Sequence, residues 1–123
     1  ILFPSDALGF NIGGEEFFPL FFHSYREYLS TIDRFVQLKP RVLAFPHEVV
    51  YEGPEFIAGF MSRVRGEAVE LKDFIRARSK QGAEPVAEVL FDRYYRDNLL
   101  FYSPENIRLC VDLLIKRALE AEN

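Results

Sequence analysis

Tryptophan is absent, cysteine and methionine occur once each, and histidine twice. The lone Cys110 forbids an internal disulfide framework and any cysteine-rich zinc site. There is no excess of positive charge. A formal net charge of −4 argues against a nucleic-acid partner held mainly through phosphates. No apolar run approaches the roughly 18 residues of a membrane helix, and the chain opens on no basic-then-apolar leader. The expectation is a cytoplasmic protein with no membrane partner. No glycine-rich phosphate loop is present either, because Gly9 to Gly14 lacks the lysine and the spacing of one.

What the chain does have is core-forming material. At 49% hydrophobic residues, with 13 Phe and 6 Tyr in 123 residues, it can offset the entropy of ordering one domain's backbone. Its two ends differ. Residues 1 to 53 carry 11 charged side chains, whereas 54 to 123 carry 11 basic and 12 acidic ones, the pattern of solvated helices. The start at Ile1, with an apolar run and no Met, reads as a portion of a larger domain.

Ile1-Leu2-Phe3 reads as a buried strand end, stopped by Pro4 and followed by a polar turn at Ser5 to Gly9. The Asn11 to Glu16 stretch, with Gly13-Gly14, is expected to be irregular. Phe17 to Phe22 is too aromatic for a free loop, and core packing is favoured over a substrate wall. Ser24 and Glu27 have capping-box spacing, and Tyr25, Tyr28, Leu29, Ile32, Phe35 and Val36 recur every three or four residues, so a helix runs to Lys39-Pro40. Arg41 to Phe45 is a short strand ending in a turn at Pro46-His47-Glu48. Strand, helix and strand together predict a right-handed crossover between parallel strands. That crossover places Asp6 and His47 near one another, past the carboxyl ends of their strands, where open α/β sheets hold ligands.

The remainder, 54 to 123, predicts about three helices. One starts at Gly53-Pro54 and ends by Gly82, one starts near Pro85, and one starts at Ser103-Pro104 with Ile107, Cys110, Val111, Leu114 and Ala118 inward. Cys110 on that stripe reads as an inert buried thiol. His23, next to a helix cap, reads as a surface residue.

The phrases Ile1-Leu2-Phe3-Pro4-Ser5-Asp6-Ala7-Leu8-Gly9, Tyr28 to Phe35, and Leu38-Lys39-Pro40 through Pro46-His47 resemble the later half of a metallo-β-lactamase-fold hydrolase. The resemblance covers residues 1 to 53. It implies an α+β or α/β fold, the later half of an αββα sandwich, with 54 to 123 as a helical carboxyl-terminal extension. It further implies that Asp6 is a bridging, catalytic metal ligand and His47 the last metal ligand. The parent would hold two divalent ions, zinc foremost with iron or manganese as alternatives, and none is expected in this portion. The implied reaction is attack of a metal-activated hydroxide on an ester, thioester, lactone or phosphodiester of a small-molecule substrate. The family's other histidine ligands lie upstream of its bridging aspartate. Pro4-Ser5-Asp6 and Pro46-His47-Glu48 also stand where the family usually writes Thr-Gly-Asp and Gly-His-Gly. The portion alone is therefore expected to be inactive, and to form a homo-oligomer or to associate with the missing half. The alternative is a non-catalytic helical interaction or oligomerisation module.

Overall fold

The computed structural model describes residues 1–46 and 49–121, apart from the side chains of residues 81 and 83. The architecture is mixed α+β. Strands β1 (Phe10–Gly13) and β2 (Glu16–Phe18) come first, then helix α1 (Tyr25–Leu38). Strands β3 (Val42–Ala44) and β4 (Val50–Glu52) follow, and then helices α2 (Pro54–Arg78), α3 (Ala83–Tyr94) and α4 (Pro104–Glu120). Short 3-10 turns sit at Ser79–Gln81 and Asp97–Phe101.

The stretch expected to be irregular is instead an antiparallel hairpin, with Phe10 opposite Phe18 and Asn11 opposite Phe17. Gly14, at φ 56, supplies the left-handed turn residue between the strands, and the Asn11 side-chain amide donates to the Gly14 carbonyl at 2.8 Å. The two glycines thus close a tight turn rather than loosening a loop. Strand β4 was also unanticipated, because Val50-Tyr51-Glu52 is short and has no alternation of its own. It pairs antiparallel with β3, Leu43 opposite Tyr51.

The parallel contact expected between the first apolar run and the Arg41 to Phe45 strand is present as a single bridge, Leu2 to Leu43. Leu2 N–H donates to the Val42 carbonyl and Ala44 N–H to the Leu2 carbonyl, each at 2.9 Å. The alternate backbone groups of this strand point the other way: Phe45 N–H donates to Val49 at 2.7 Å, and the Arg41 carbonyl accepts from Gly53 at 3.0 Å. Strand β3 is therefore central, flanked by Leu2 and β4. Leu2 is half-buried while Ile1 and Phe3 on either side are exposed, so the run is a strand edge rather than the buried strand end its composition suggests.

Helix α1 begins where Ser24 accepts from the Glu27 N–H at 3.1 Å. The Glu27 carboxylate does not complete the reciprocal cap but reaches His23 Nε2 at 3.5 Å. Lys39, in a left-handed conformation, ends the helix with its N–H on the Val36 carbonyl. Pro54 opens α2 and Pro104 opens α4 at positions where a missing N–H costs nothing, and Ser103 caps α4 by accepting from Asn106 N–H. Helix α2 packs against α1, α3, α4, β3 and β4. Its inward residues Ile57, Phe60, Leu71 and Ile75 share one core with Leu8, Phe18, Ile32 and Leu43 from the front of the chain and Leu90 and Leu114 from the back. Phe17, Phe18 and Phe21 belong to this core, as favoured from their composition. Among the described residues, no helix is long and apolar enough to cross a membrane.

Candidate functional site

The Leu2–Leu43 bridge makes the chain leave both strands at the same edge. On one side, buried Pro4 leads into two overlapping turns, Ala7 N–H to the Pro4 carbonyl and Gly9 N–H to the Asp6 carbonyl, both at 3.0 Å. Asp6 stands exposed on these turns. On the other side, buried Phe45 leads to Pro46. Asp6 and Pro46 line one cleft of about 390 Å³. The shared location expected for the ends of the two strands is thus observed at Asp6 and at Pro46, while His47 and Glu48 lie outside the described residues.

The far wall of the cleft comes from the 3-10 turn at Asp97–Phe101 and from Tyr102. Asn98 holds this turn against β1: its side-chain amide donates to the Asn11 side-chain oxygen at 3.0 Å and to the Asn11 backbone carbonyl at 3.4 Å. Phe10 and Tyr102 stack with ring centroids 5.9 Å apart. Asn98, Phe101 and Tyr102 were not singled out from sequence. The available signal was Leu100-Phe101-Tyr102 in a helix connection, apolar without helical spacing to bury it.

Among the described residues, Asp6 is the one charged side chain on this cleft. No group of three or more His, Cys, Asp or Glu side chains is placed to hold a metal ion among those residues. A catalytic zinc takes three protein ligands and keeps one position open, so the described residues do not by themselves constitute such a centre. Asp6 could supply one carboxylate to a centre completed by other donors.

Two further cavities carry more charge, most of it in ion pairs. The larger of the two, about 750 Å³ and remote from Asp6 in its lining, is bordered by Arg26, Asp33, Arg65, Arg117 and Glu120. Arg65 bonds Asp33 at 2.8 Å, and Arg117 bonds both the Phe22 carbonyl at 2.7 Å and Glu120 at 2.9 Å. His23, at the edge of this cavity, is 90% exposed, in keeping with a surface role. A third cavity, about 340 Å³, lies between the β1–β2 hairpin and helices α2 and α3. There Arg63 pairs with Glu15 at 3.3 Å, Arg93 with Glu67, and Arg96 with both Glu16 and Asp97. The pairs of Glu15 and Glu16 tie the hairpin to α2 and to the turn after α3, and Arg93–Glu67 ties α3 to α2. Beneath them, burial pushes the phenols of Tyr28 and Tyr94 far up, and the Glu67 carboxylate adds to the effect at both. Cys110 is half-buried, and burial raises its thiol, which suits an unreactive packing residue. Comparison with protein-family models, with curated proteins and with solved structures finds no significant match.

Proposed function

We propose that the chain is the carboxyl-terminal portion of a metal-dependent hydrolase of the metallo-β-lactamase superfamily. The observation that carries this reading is the parallel Leu2–Leu43 pair, which sets Asp6 and Pro46, the residue before His47, on a single cleft. In this reading residues 1 to 53 form the later part of an αββα sandwich, and Asp6 and His47 contribute to a centre of two divalent ions, zinc foremost. The remaining ligands come from outside these residues, and a small molecule carrying an ester, thioester, lactone or phosphodiester is the substrate. Because the described donors do not complete a centre, no catalytic step is assigned to this chain by itself. The decisive measurement is the metal content of the natural gene product by mass spectrometry. Wild-type protein is expected to hold bound zinc or another transition metal, and Asp6→Ala and His47→Ala are each expected to lower that content. Unchanged metal in both variants, or no metal in any of the three, overturns the assignment.

A second reading, a non-catalytic interaction or oligomerisation module, is favoured by the apolar side chains left in water at Ile1, Phe3, Leu100 and Phe101. Sedimentation velocity tests the module, since a monodisperse monomer at every concentration counts against it, and the metal content of the natural gene product separates it from the hydrolase reading.

A further inference from the structure

We propose that the cavity between α1, α2 and α4 binds a small molecule carrying a phosphate monoester, held by Arg26, Arg65, Arg117 and the Tyr25 hydroxyl. The site is separate from the Asp6 cleft and does not depend on the function proposed for it.

At about 750 Å³ the cavity lies within the range of small-ligand sites. Its three arginines come from different helices: Arg26 from the first turn of α1, Arg65 from α2 and Arg117 from α4. Among the described residues they outnumber the two lining carboxylates, Asp33 and Glu120, in a chain whose formal net charge is −4. A concave surface with an excess of one sign concentrates ligands of the other. Two of the arginines are also held in advance. Arg65 Nε donates to Asp33 at 2.8 Å, whereas Arg117 Nε donates to the Phe22 carbonyl at 2.7 Å and its Nη1 to Glu120 at 2.9 Å. These bonds use only part of each guanidinium's set of donors. The donors left over sit on side chains already fixed, so little further side-chain entropy is lost when an anion takes them. The carbonyl end of α4, which borders the cavity at Ala121, is covered by Arg76, which donates to the carbonyls of Ala118, Leu119 and Ala121.

Tyr25 gives an independent indication. It lines the cavity yet is only 7% exposed, its ring set between Phe21, with centroids 5.2 Å apart, and the Lys72 ammonium at 5.4 Å. Buried phenols ordinarily find a hydrogen-bond partner, but this hydroxyl has none among the described residues. An acceptor in the cavity completes it. Phosphate fits this donor set better than carboxylate does. A monoester carries about −1.5 to −2 charge at neutral pH on three acceptor oxygens, so that it can engage more than one guanidinium and a hydroxyl together. A carboxylate is filled by a single guanidinium fork. Ser24, Ser30, Asp33 and Glu120 also line the space and suit a hydroxylated body better than an apolar one.

NMR titration of the 123-residue chain with inorganic phosphate and with glycerol 3-phosphate, at constant ionic strength, tests the site. Both are expected to saturate with dissociation constants of about millimolar or below, glycerol 3-phosphate at least as tightly as phosphate. Both should move the amides from Ser24 to Leu29 and the side-chain signals of Arg65 and Arg117. Arg26→Gln is expected to weaken binding about fivefold or more, the order of one charge-assisted contact. Tyr25→Phe, which keeps the ring and removes the hydroxyl, should weaken it about threefold. Arg41→Gln, at an exposed arginine that does not line the cavity, should leave it unchanged. The spectrum of each variant reports whether it is folded. Shifts that rise without saturating overturn the proposal, and so do Arg26→Gln and Tyr25→Phe chains that bind like the wild type. Binding of inorganic phosphate with exclusion of glycerol 3-phosphate overturns the monoester. Capture on phosphatidate vesicles that Arg26→Gln abolishes would assign the site to a lipid headgroup and overturn the small molecule.

Discussion

Tyr28 shows how much a single hydroxyl constrains this core. It lies inside the molecule and donates to the Leu8 carbonyl at 3.1 Å, linking α1 to the turn that carries Asp6. Tyr94, equally buried, donates to Glu67 at 3.2 Å. In the folded chain both phenols resist ionisation because the phenolate would be stripped of water and set near the Glu67 carboxylate. In the unfolded chain they ionise at the ordinary value of 10.0. The sign follows: the folded state holds its protons where the unfolded state releases them, so stability is complete below pH 10 and falls as pH rises beyond it. Each phenol contributes a slope of up to about 1.4 kcal/mol per pH unit there. Urea titrations between pH 8 and 11 should show the decline, and Tyr28→Phe should reduce its slope. At neutral pH the same variant should lose about 1 kcal/mol, because the buried Leu8 carbonyl is left without its donor. The spacing of Tyr25, Tyr28 and Ile32 correctly placed Tyr28 on the inward face of α1. Its hydrogen bond reaches 20 residues back in the chain, and local periodicity carries no information about such a partner.

At the scale of elements, the helix starts were legible because capping chemistry is local. Ser24, Gly53-Pro54 and Ser103-Pro104 each stand where α1, α2 and α4 begin. The hairpin was not legible in the same way, since Gly13-Gly14 is compatible with either a loop or a tight turn, and the choice is made by Phe17 and Phe18 entering the core. Gly9 and Gly14 then make a discriminating pair. At Gly9, φ is +109 and an added Cβ would collide with the backbone carbonyl of Phe18, which cannot move without breaking its pairing with Phe10. At Gly14, φ is +56 and nothing lies within 4 Å of where a Cβ would sit. Gly9→Ala is therefore expected to cost about 2 kcal/mol or more, since a forbidden backbone conformation and a clash add. Gly14→Asn should stay within about 1 kcal/mol of wild type, because asparagine tolerates the left-handed region. Thermal denaturation of the two variants side by side checks the contrast. The candidate site was half legible for a related reason: Asp6 and Pro46 follow strands, whereas Asn98 and Phe101 reach the cleft through a tertiary contact with β1.

For the whole molecule, the difference in charge between residues 1 to 53 and 54 to 123 invites division into two units, but packing joins them. Helix α2 lies at the centre, touching α1 and both strands of the β3–β4 sheet on one account and α3 and α4 on the other. Leu71, fully buried on α2, belongs to a core that takes Ile32 from α1 and Leu114 from α4. A cavity opened at Leu71 should consequently be felt at both ends of the chain. Leu71→Ala is expected to cost about 2 to 5 kcal/mol, the range for removing a buried leucine side chain. Native-state hydrogen exchange tells where that loss is felt. If the core unfolds as one cooperative body, the slowest amides of α1 and of α4 exchange through global opening, and the variant lowers their protection by the same free energy. If residues 54 to 121 unfold as a separate unit, α4 amides lose protection while those of α1 keep theirs. The continuity of the core leads us to expect equal loss at the two helices, with a single denaturation transition for wild type and variant alike.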